Sequence, residues 1–280
     1  MSPNIIIKAN GEREPFDSRK IRRSLVRSKA SPEVAEAIIE QIEKEFEGEI
    51  TTSELYQRAF EYLKQHQKGV AIRYSLRKAI MDMGPTGFPF EQFIAEIYRA
   101  KGYEVTTEFN AKGNCVEHEI DVTAWKDKEL IFVEAKFHND HGIKSDLKVA
   151  LYIKSRWDDL KDIEFSGFGE GKMKMVKGIL ITNTKFTESA IQYAKCQNME
   201  LIGWNYPENG NLQDLIEETG LHPITCLTSI SQAEEKRIME AGIVLCKQAK
   251  ENRDVLKQAG ISPEKIVEMM EEIELVSNNN

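Results

Sequence analysis

Two acids and a lysine share one short stretch of the chain, Glu119-Ile-Asp-Val-Thr-Ala-Trp-Lys-Asp-Lys-Glu-Leu-Ile-Phe-Val-Glu-Ala-Lys-Phe. Its second half is apolar and β-branched enough to form a strand. Residues two apart in a strand face the same side. Glu134 and Lys136 therefore project together, while Ile131, Val133 and Ala135 take the other face. A turn at Asp127-Lys128 returns Asp121, on the preceding strand, to the level of residues 132–136. Two carboxylates and a lysine in one place suit hydrolysis of a phosphodiester, which needs the phosphate charge neutralised and a water positioned. Asp121 and Glu134, with the carbonyl oxygen of Ala135, make an oxygen donor set for Mg2+ or Mn2+. Lys136 is placed to orient the attacking water, help deprotonate it and balance charge.

The elements that must position these residues fall into three blocks. Residues 1–84 open with a short apolar strand, Ile5–Ala9, and a turn at Asn10-Gly11. Asp17 or Ser18 caps a helix running to about Lys29. Pro32 opens a second helix, Thr51 or Thr52 a third, and Val70–Met83 reads as a fourth. Gly84-Pro85-Thr86-Gly87 breaks the chain. Residues 85–222 begin with an amphipathic helix, Phe88–Lys101, with Phe90, Phe93, Ile94, Ile97 and Tyr98 on one side. Strands are expected at 103–109, 117–125 and 130–137, a helix at 145–160, a buried strand at 176–182, a helix at 188–197 and a last strand at 201–205. This alternation predicts an α/β fold with a central mixed sheet flanked by helices. Residues 223–280 show only helical periodicity and are expected to form a small all-α domain.

The spacing Asp-x12-Glu-Ala-Lys, after a helix reading Phe-Glu-Gln-Phe-Ile-Ala-Glu-Ile-Tyr-Arg-Ala-Lys-Gly from Phe90, resembles the Mrr-like branch of the PD-(D/E)XK restriction endonucleases. The resemblance covers about residues 87–205 and implies a restriction-endonuclease-like core that cuts DNA with a divalent ion. The family's two acids match Asp121 and Glu134, its lysine matches Lys136, and its helix glutamate, a further metal or water ligand, matches Glu91. The family's proline before the first acid is Ile120 here. Cutting two strands with one site per subunit implies a homodimer.

The N-terminal stretch Ile7-Lys-Ala-Asn-Gly-Glu-Arg-Glu-Pro-Phe-Asp-Ser-Arg-Lys-Ile21 resembles the ATP-cone, a nucleotide-sensing domain of ribonucleotide reductases and their repressors. Val70-Ala71-Ile72-Arg73-Tyr74 resembles that domain's second element. The match implies ATP or dATP as effector, with Lys8, Arg13, Lys20 and Arg73 as nucleotide-binding residues. Cationic side chains of this kind compensate triphosphate charge. Ala9 stands where the family has a second basic residue. Near the other end, Leu227-Thr-Ser-Ile-Ser-Gln-Ala-Glu-Glu-Lys-Arg-Ile-Met-Glu-Ala-Gly-Ile243 resembles a helix-hairpin-helix, whose backbone N–H groups meet a DNA phosphate. Ser229 and Ser231 replace that family's glycines. A purely structural helical pair is the other reading of this block.

Charge bears on every partner. The chain of 280 residues is 41% apolar and carries a net charge of −8. Residues 1–85 hold 15 Lys and Arg against 13 Asp and Glu, residues 86–225 hold 16 against 23, and the remainder 7 against 10. An acidic central block predicts weak, salt-sensitive DNA binding without metal. No apolar run approaches the roughly 18 residues of a membrane span, so no membrane partner is expected. Four cysteines without a CxxC pair suit free thiols in a reducing, cytoplasmic setting. The absence of a P-loop signature argues against a motor. Three other readings remain on the residues. One is a non-catalytic, nucleotide-responsive DNA-binding regulator with a vestigial nuclease core. Another is cleavage of RNA or single strands. The third is a zinc site built from Cys115, His118, His138 and His141.

Overall fold

The computed structural model describes residues 4–140 and 142–277. In chain order it forms β1 (Ile5–Ile7), β2 (Arg13–Pro15), α1 (Ser18–Arg27), α2 (Pro32–Glu45), β3 (Glu49–Thr51), α3 (Thr52–His66), α4 (Lys68–Tyr74) and α5 (Leu76–Met81). There follow α6 (Phe88–Ala100), β4 (Glu104–Lys112), β5 (Glu117–Lys126), β6 (Glu129–Lys136), β7 (Lys144–Ser145), α7 (Leu147–Leu160), β8 (Glu164–Ser166), β9 (Lys172–Thr182), β10 (Lys185–Phe186), α8 (Glu188–Cys196), β11 (Glu200–Ile202) and α9 (Leu212–Thr219). A short 3-10 turn, Ile224–Cys226, leads to α10 (Gln232–Glu240), α11 (Cys246–Glu251), α12 (Arg253–Gln258) and α13 (Pro263–Ser277).

The chain forms two compact units. The first takes the residues up to Ala79, Ile224–Ala241 and the chain from Ala249 on; the second takes Ile80–Pro223 and Gly242–Gln248. Of the C-terminal helical block, Pro223 and Gly242–Gln248 fall in the second unit and the rest in the first.

In the first unit, capping fixes where helices begin. Asp17 accepts from the backbone N–H of Arg19, Ser31 from Val34, and Thr51 with Glu54 forms a capping box. α1 stops at Arg27 because Lys29 adopts a positive φ of 63°. The helix expected over 70–83 is two helices, parted at Ser75, whose Oγ donates to the Ile72 carbonyl at 2.8 Å. β3 was not legible in advance. It is three residues long, and its pairing beside β1, in parallel, is a tertiary choice. Ile21, Leu25, Ile38, Ile42 and Leu63 fill the core under these helices.

α13 carries Glu272, fully buried, into this unit. Its carboxylate accepts from the backbone N–H and hydroxyl of Thr228, at 2.7 and 2.5 Å, and of Ser229, at 3.2 and 3.1 Å. Lys68 at the start of α4 completes the set at 3.1 Å. Burial pushes this carboxyl up, but the Thr228 bonds and Lys68 outweigh it and hold it below its ordinary range. The N–H groups that a helix-hairpin-helix turns to DNA are here taken by a side chain of the same chain, which favours the structural reading of this block. Glu272→Ala leaves these donors and Lys68 without their partner. It is expected to lower unfolding stability by about 3–5 kcal/mol, read from urea melts.

The second unit is built on a sheet of order β11-β9-β6-β5-β4, with β8 paired to β9 at its side. β4, β5 and β6 form an antiparallel meander, and Asp127 turns the second hairpin at φ 53°. β6 then pairs in parallel with β9, and β9 with β11. This is the mixed sheet between helices that the alternation predicted. α6 lays Phe90, Phe93 and Ile94, all fully buried, into the core. α7 buries Ala150, Ile153 and Trp157. Gly178 on β9 admits the Trp157 ring, since a Cβ there would lie 2.3 Å from it.

Candidate active site

Three elements converge on the acids. The β5–β6 ladder runs from Lys126↔Glu129 to Val122↔Val133 and stops there. One residue further, Asp121 and Glu134 face each other at the end of the ladder. Asp121 Oδ2 accepts the Ala135 backbone N–H at 2.7 Å, so a side chain continues what the backbone pairing leaves off. β6 itself stays in register with β9, Glu134↔Leu180 through Lys136↔Thr182. Glu134 and Lys136 thus sit on a strand held from both sides, Glu134 half-buried and Lys136 exposed. α6 brings Glu91 in its first turn.

The electrostatics show how close these groups are. Burial pushes Glu91 up to about 7, and the charges of Asp121, Glu108 and Glu119 add to it. Burial likewise pushes Glu134 up to about 7, aided by Asp121 and opposed by Arg156 and Lys136. Asp121 is raised by burial against the pull of the Ala135 N–H. Carboxyls that resist ionisation because they are desolvated and crowd one another mark a functional cluster. Such a hard oxygen donor set fits Mg2+ or Mn2+. Among the described residues no three His, Cys, Asp or Glu side chains are already gathered as a metal cage. Asp121 is turned to Ala135 and Glu134 to Arg156.

Arg156 on α7 is a functional residue that short-range sequence rules do not single out. Its Nη1 pairs with Glu134 Oε2 and its Nη2 donates to the Glu119 carbonyl. A signal was present: Arg156 directly precedes Trp157, inside the stripe by which α7 packs on the sheet.

Among the described residues the structure does not gather the side chains of the zinc reading into one cluster. His118 Nε2 pairs with Asp159 at 2.8 Å, and Asp159 also accepts the N–H of Cys115 at 2.8 Å. His138 Nε2 pairs with Ser145 Oγ at 2.9 Å. His141 lies outside the described residues. The cluster on Asp159 ties the β4–β5 loop to the end of α7, and Gly113 is needed there because a Cβ would lie 2.2 Å from Asp159.

In the first unit, Lys8 and Lys20 meet on one carboxylate: Glu14 pairs with Lys8 at 3.0 Å and with Lys20 at 2.8 Å. Arg13 pairs elsewhere, with Glu49 at 2.6 Å. Arg73 donates from Nε to the Ser28 carbonyl at 3.1 Å. The structure thus brings together two of the four cations assigned to the nucleotide.

The sheet's antiparallel meander lies in a segment that is similar to a restriction endonuclease domain. Family models agree: an ATP cone domain matches residues 4–82 and a restriction endonuclease domain residues 83–149. A third model, AF1548-like C-terminal, matches residues 222–277. An uncharacterized protein of Archaeoglobus fulgidus is 36% identical over 184 residues, 65% of this chain and 99% of that protein. The crystal structure of AF1548, a protein of unknown function, superposes with a TM-score of 0.55 at 33% identity, covering 70% of this chain and 100% of that one. The restriction endonuclease MspJI, in complex with a 27-mer oligonucleotide, aligns at a TM-score of 0.31 and 11% identity over 54% of this chain and 36% of that one, too remote to argue from. This chain belongs to the AF1548-like family. Among its described residues no helix is long and apolar enough to cross a membrane.

Proposed function

We propose that this protein is a cytoplasmic, metal-dependent endonuclease that hydrolyses DNA phosphodiester bonds, works as a homodimer and is regulated by adenine nucleotide at its ATP cone. The observation that carries the reading is the meeting of Asp121 and Glu134 at the end of the β5–β6 ladder, with Lys136 on the face of Glu134. Asp121 and Glu134 would hold the divalent ion, which would supply Lewis acidity at the phosphate. Lys136 orients the attacking water and offsets charge that develops on the phosphate oxygens. Glu91, whose carboxyl burial pushes up to about 7, would serve beside the ion as a further water ligand. The regulator with a vestigial core predicts DNA binding without cutting. Incubating the purified chain with supercoiled plasmid and with single strands, in Mg2+, Mn2+ or EDTA, separates these readings and the preference for one strand or two. No cutting of either substrate by protein that binds DNA would favour the regulator.

The cone is tested apart from cleavage. Glu14 holds Lys8 and Lys20, so a nucleotide triphosphate has to displace it. Calorimetric titration with ATP and dATP should show binding that strengthens about fivefold in Glu14→Gln, the worth of an exposed competing ion pair. Absence of heat in both proteins would remove the nucleotide from the proposal.

A further inference from the structure

The acid cluster already has a cation in it, and that cation is a side chain. The Arg156 guanidinium binds Glu134 Oε2 with one arm and the Glu119 carbonyl with the other. It therefore bridges β5 and β6 just where their backbone pairing has stopped. The side chain is only 11% exposed and that of Glu134 18%, so the pair is largely out of water. Without it, Asp121 and Glu134 would meet as like charges in a desolvated corner, which is strongly unfavourable. On its other side lies the ring of Tyr152, 5.6 Å from the guanidinium carbon and 63% exposed. An exposed ring one helical turn away gives a displaced guanidinium a surface to rest on.

We propose that Arg156 is a placeholder cation, which holds Glu134 in the metal-free protein and is displaced when a divalent ion takes the carboxylates. The inference rests on the metal-dependent reading given above and adds a positioning residue to it. A divalent ion that approaches Glu134 Oε2 along the lone pair taken by Arg156 Nη1 competes with the guanidinium for it. On this proposal the affinity measured for metal is what remains after that competition. In return Arg156 ties β5 to β6 where their backbone pairing stops. Lys136 is not a substitute: it is exposed at the end of β6 and acts on the carboxylates through its charge.

The test is Mn2+ binding by calorimetry, without DNA, to the full chain and to Arg156→Gln and Arg156→Lys, with melting followed in EDTA. Arg156→Gln is expected to bind Mn2+ about tenfold tighter than the wild type, equivalent to ~1.4 kcal/mol of competition removed, while melting lower in EDTA. Arg156→Lys, with one contact in place of two, should fall between. A residue that merely props the site would give the opposite sign, weaker metal binding on substitution. Unchanged or weaker Mn2+ affinity in folded Arg156→Gln overturns the placeholder and leaves the metal site standing. If the Gln variant does not fold, the Lys variant decides by the same criterion. No Mn2+ binding to any of the proteins overturns the metal-dependent reading itself.

Discussion

Lys136→Ala is expected to lower plasmid cleavage about a hundredfold to ten-thousandfold while leaving metal binding and folding nearly intact. The separation follows from where the residue sits. Lys136 is exposed at the end of β6, so its removal opens no cavity and should change stability by less than about 0.5 kcal/mol. Asp121 and Glu134 remain to bind the ion, so Mn2+ affinity should shift little. What is lost is the cation beside the attacking water and the phosphate. Asp121→Asn differs in kind: it removes a ligand charge, and metal affinity should fall together with cleavage. Comparing the two variants in Mg2+, with an EDTA blank, assigns the roles. Cutting that persists in Lys136→Ala would mean that the hydrolysis comes from another site or another protein.

Much of this site could be read without the structure because it rests on short-range rules. Two-residue periodicity put Glu134 and Lys136 on one face, and the Asp127-Lys128 turn brought Asp121 opposite. Helix starts at Ser18, Pro32 and Thr52 followed from side chains that cap within three residues. What could not be read depends on partners distant in sequence. β3 is strand only because β1 lies beside it. The place of Arg156 is set by Glu134, 22 residues earlier and in a different element. Glu272 looked like one more surface acid among the many of the C-terminal block. Only the fold shows it buried, with the Thr228-Ser229 loop and Lys68 gathered on it.

These cases share a cause. At each place where a charged ligand was expected, the chain supplies its own counter-ion. Arg156 pairs with Glu134, Glu14 lies between Lys8 and Lys20, and Glu272 accepts the N–H groups of Thr228 and Ser229. A charged group that loses water must find a partner or change protonation, and a chain of net charge −8 has acids in excess to supply. Short motifs report which ligand the residues would suit. They do not report the side chain that occupies the place meanwhile, and ligand affinity at each site is a competition with it.

That competition also involves protons, and Mn2+ affinity is expected to rise about fiftyfold between pH 5 and pH 7 for each such proton displaced on binding. Glu91 and Glu134 are both pushed up to about 7 from an ordinary value of 4.5. Each holds its proton in the folded, metal-free protein over a range where the unfolded chain has lost it. Their contribution to stability is therefore complete below about pH 4.5 and lost as pH rises through about 7. Asp121, raised for the same first reason of burial, acts in the same direction. Asp159 and Glu234, both held at about 2 by their ion pairs and hydrogen bonds, act in a separate and lower window. They lose their contribution only as pH falls toward 2. Metal reverses the upper window, because a carboxylate bound to it must be ionised. Melting in EDTA should thus decline from pH 5 to pH 8, and the gain in melting temperature on adding Mn2+ should grow across the same range. Titrations in buffers of different ionisation enthalpy count the protons released. Affinity that stays level from pH 5 to pH 8 would mean that these carboxyls do not meet the ion, whatever else the sheet edge binds.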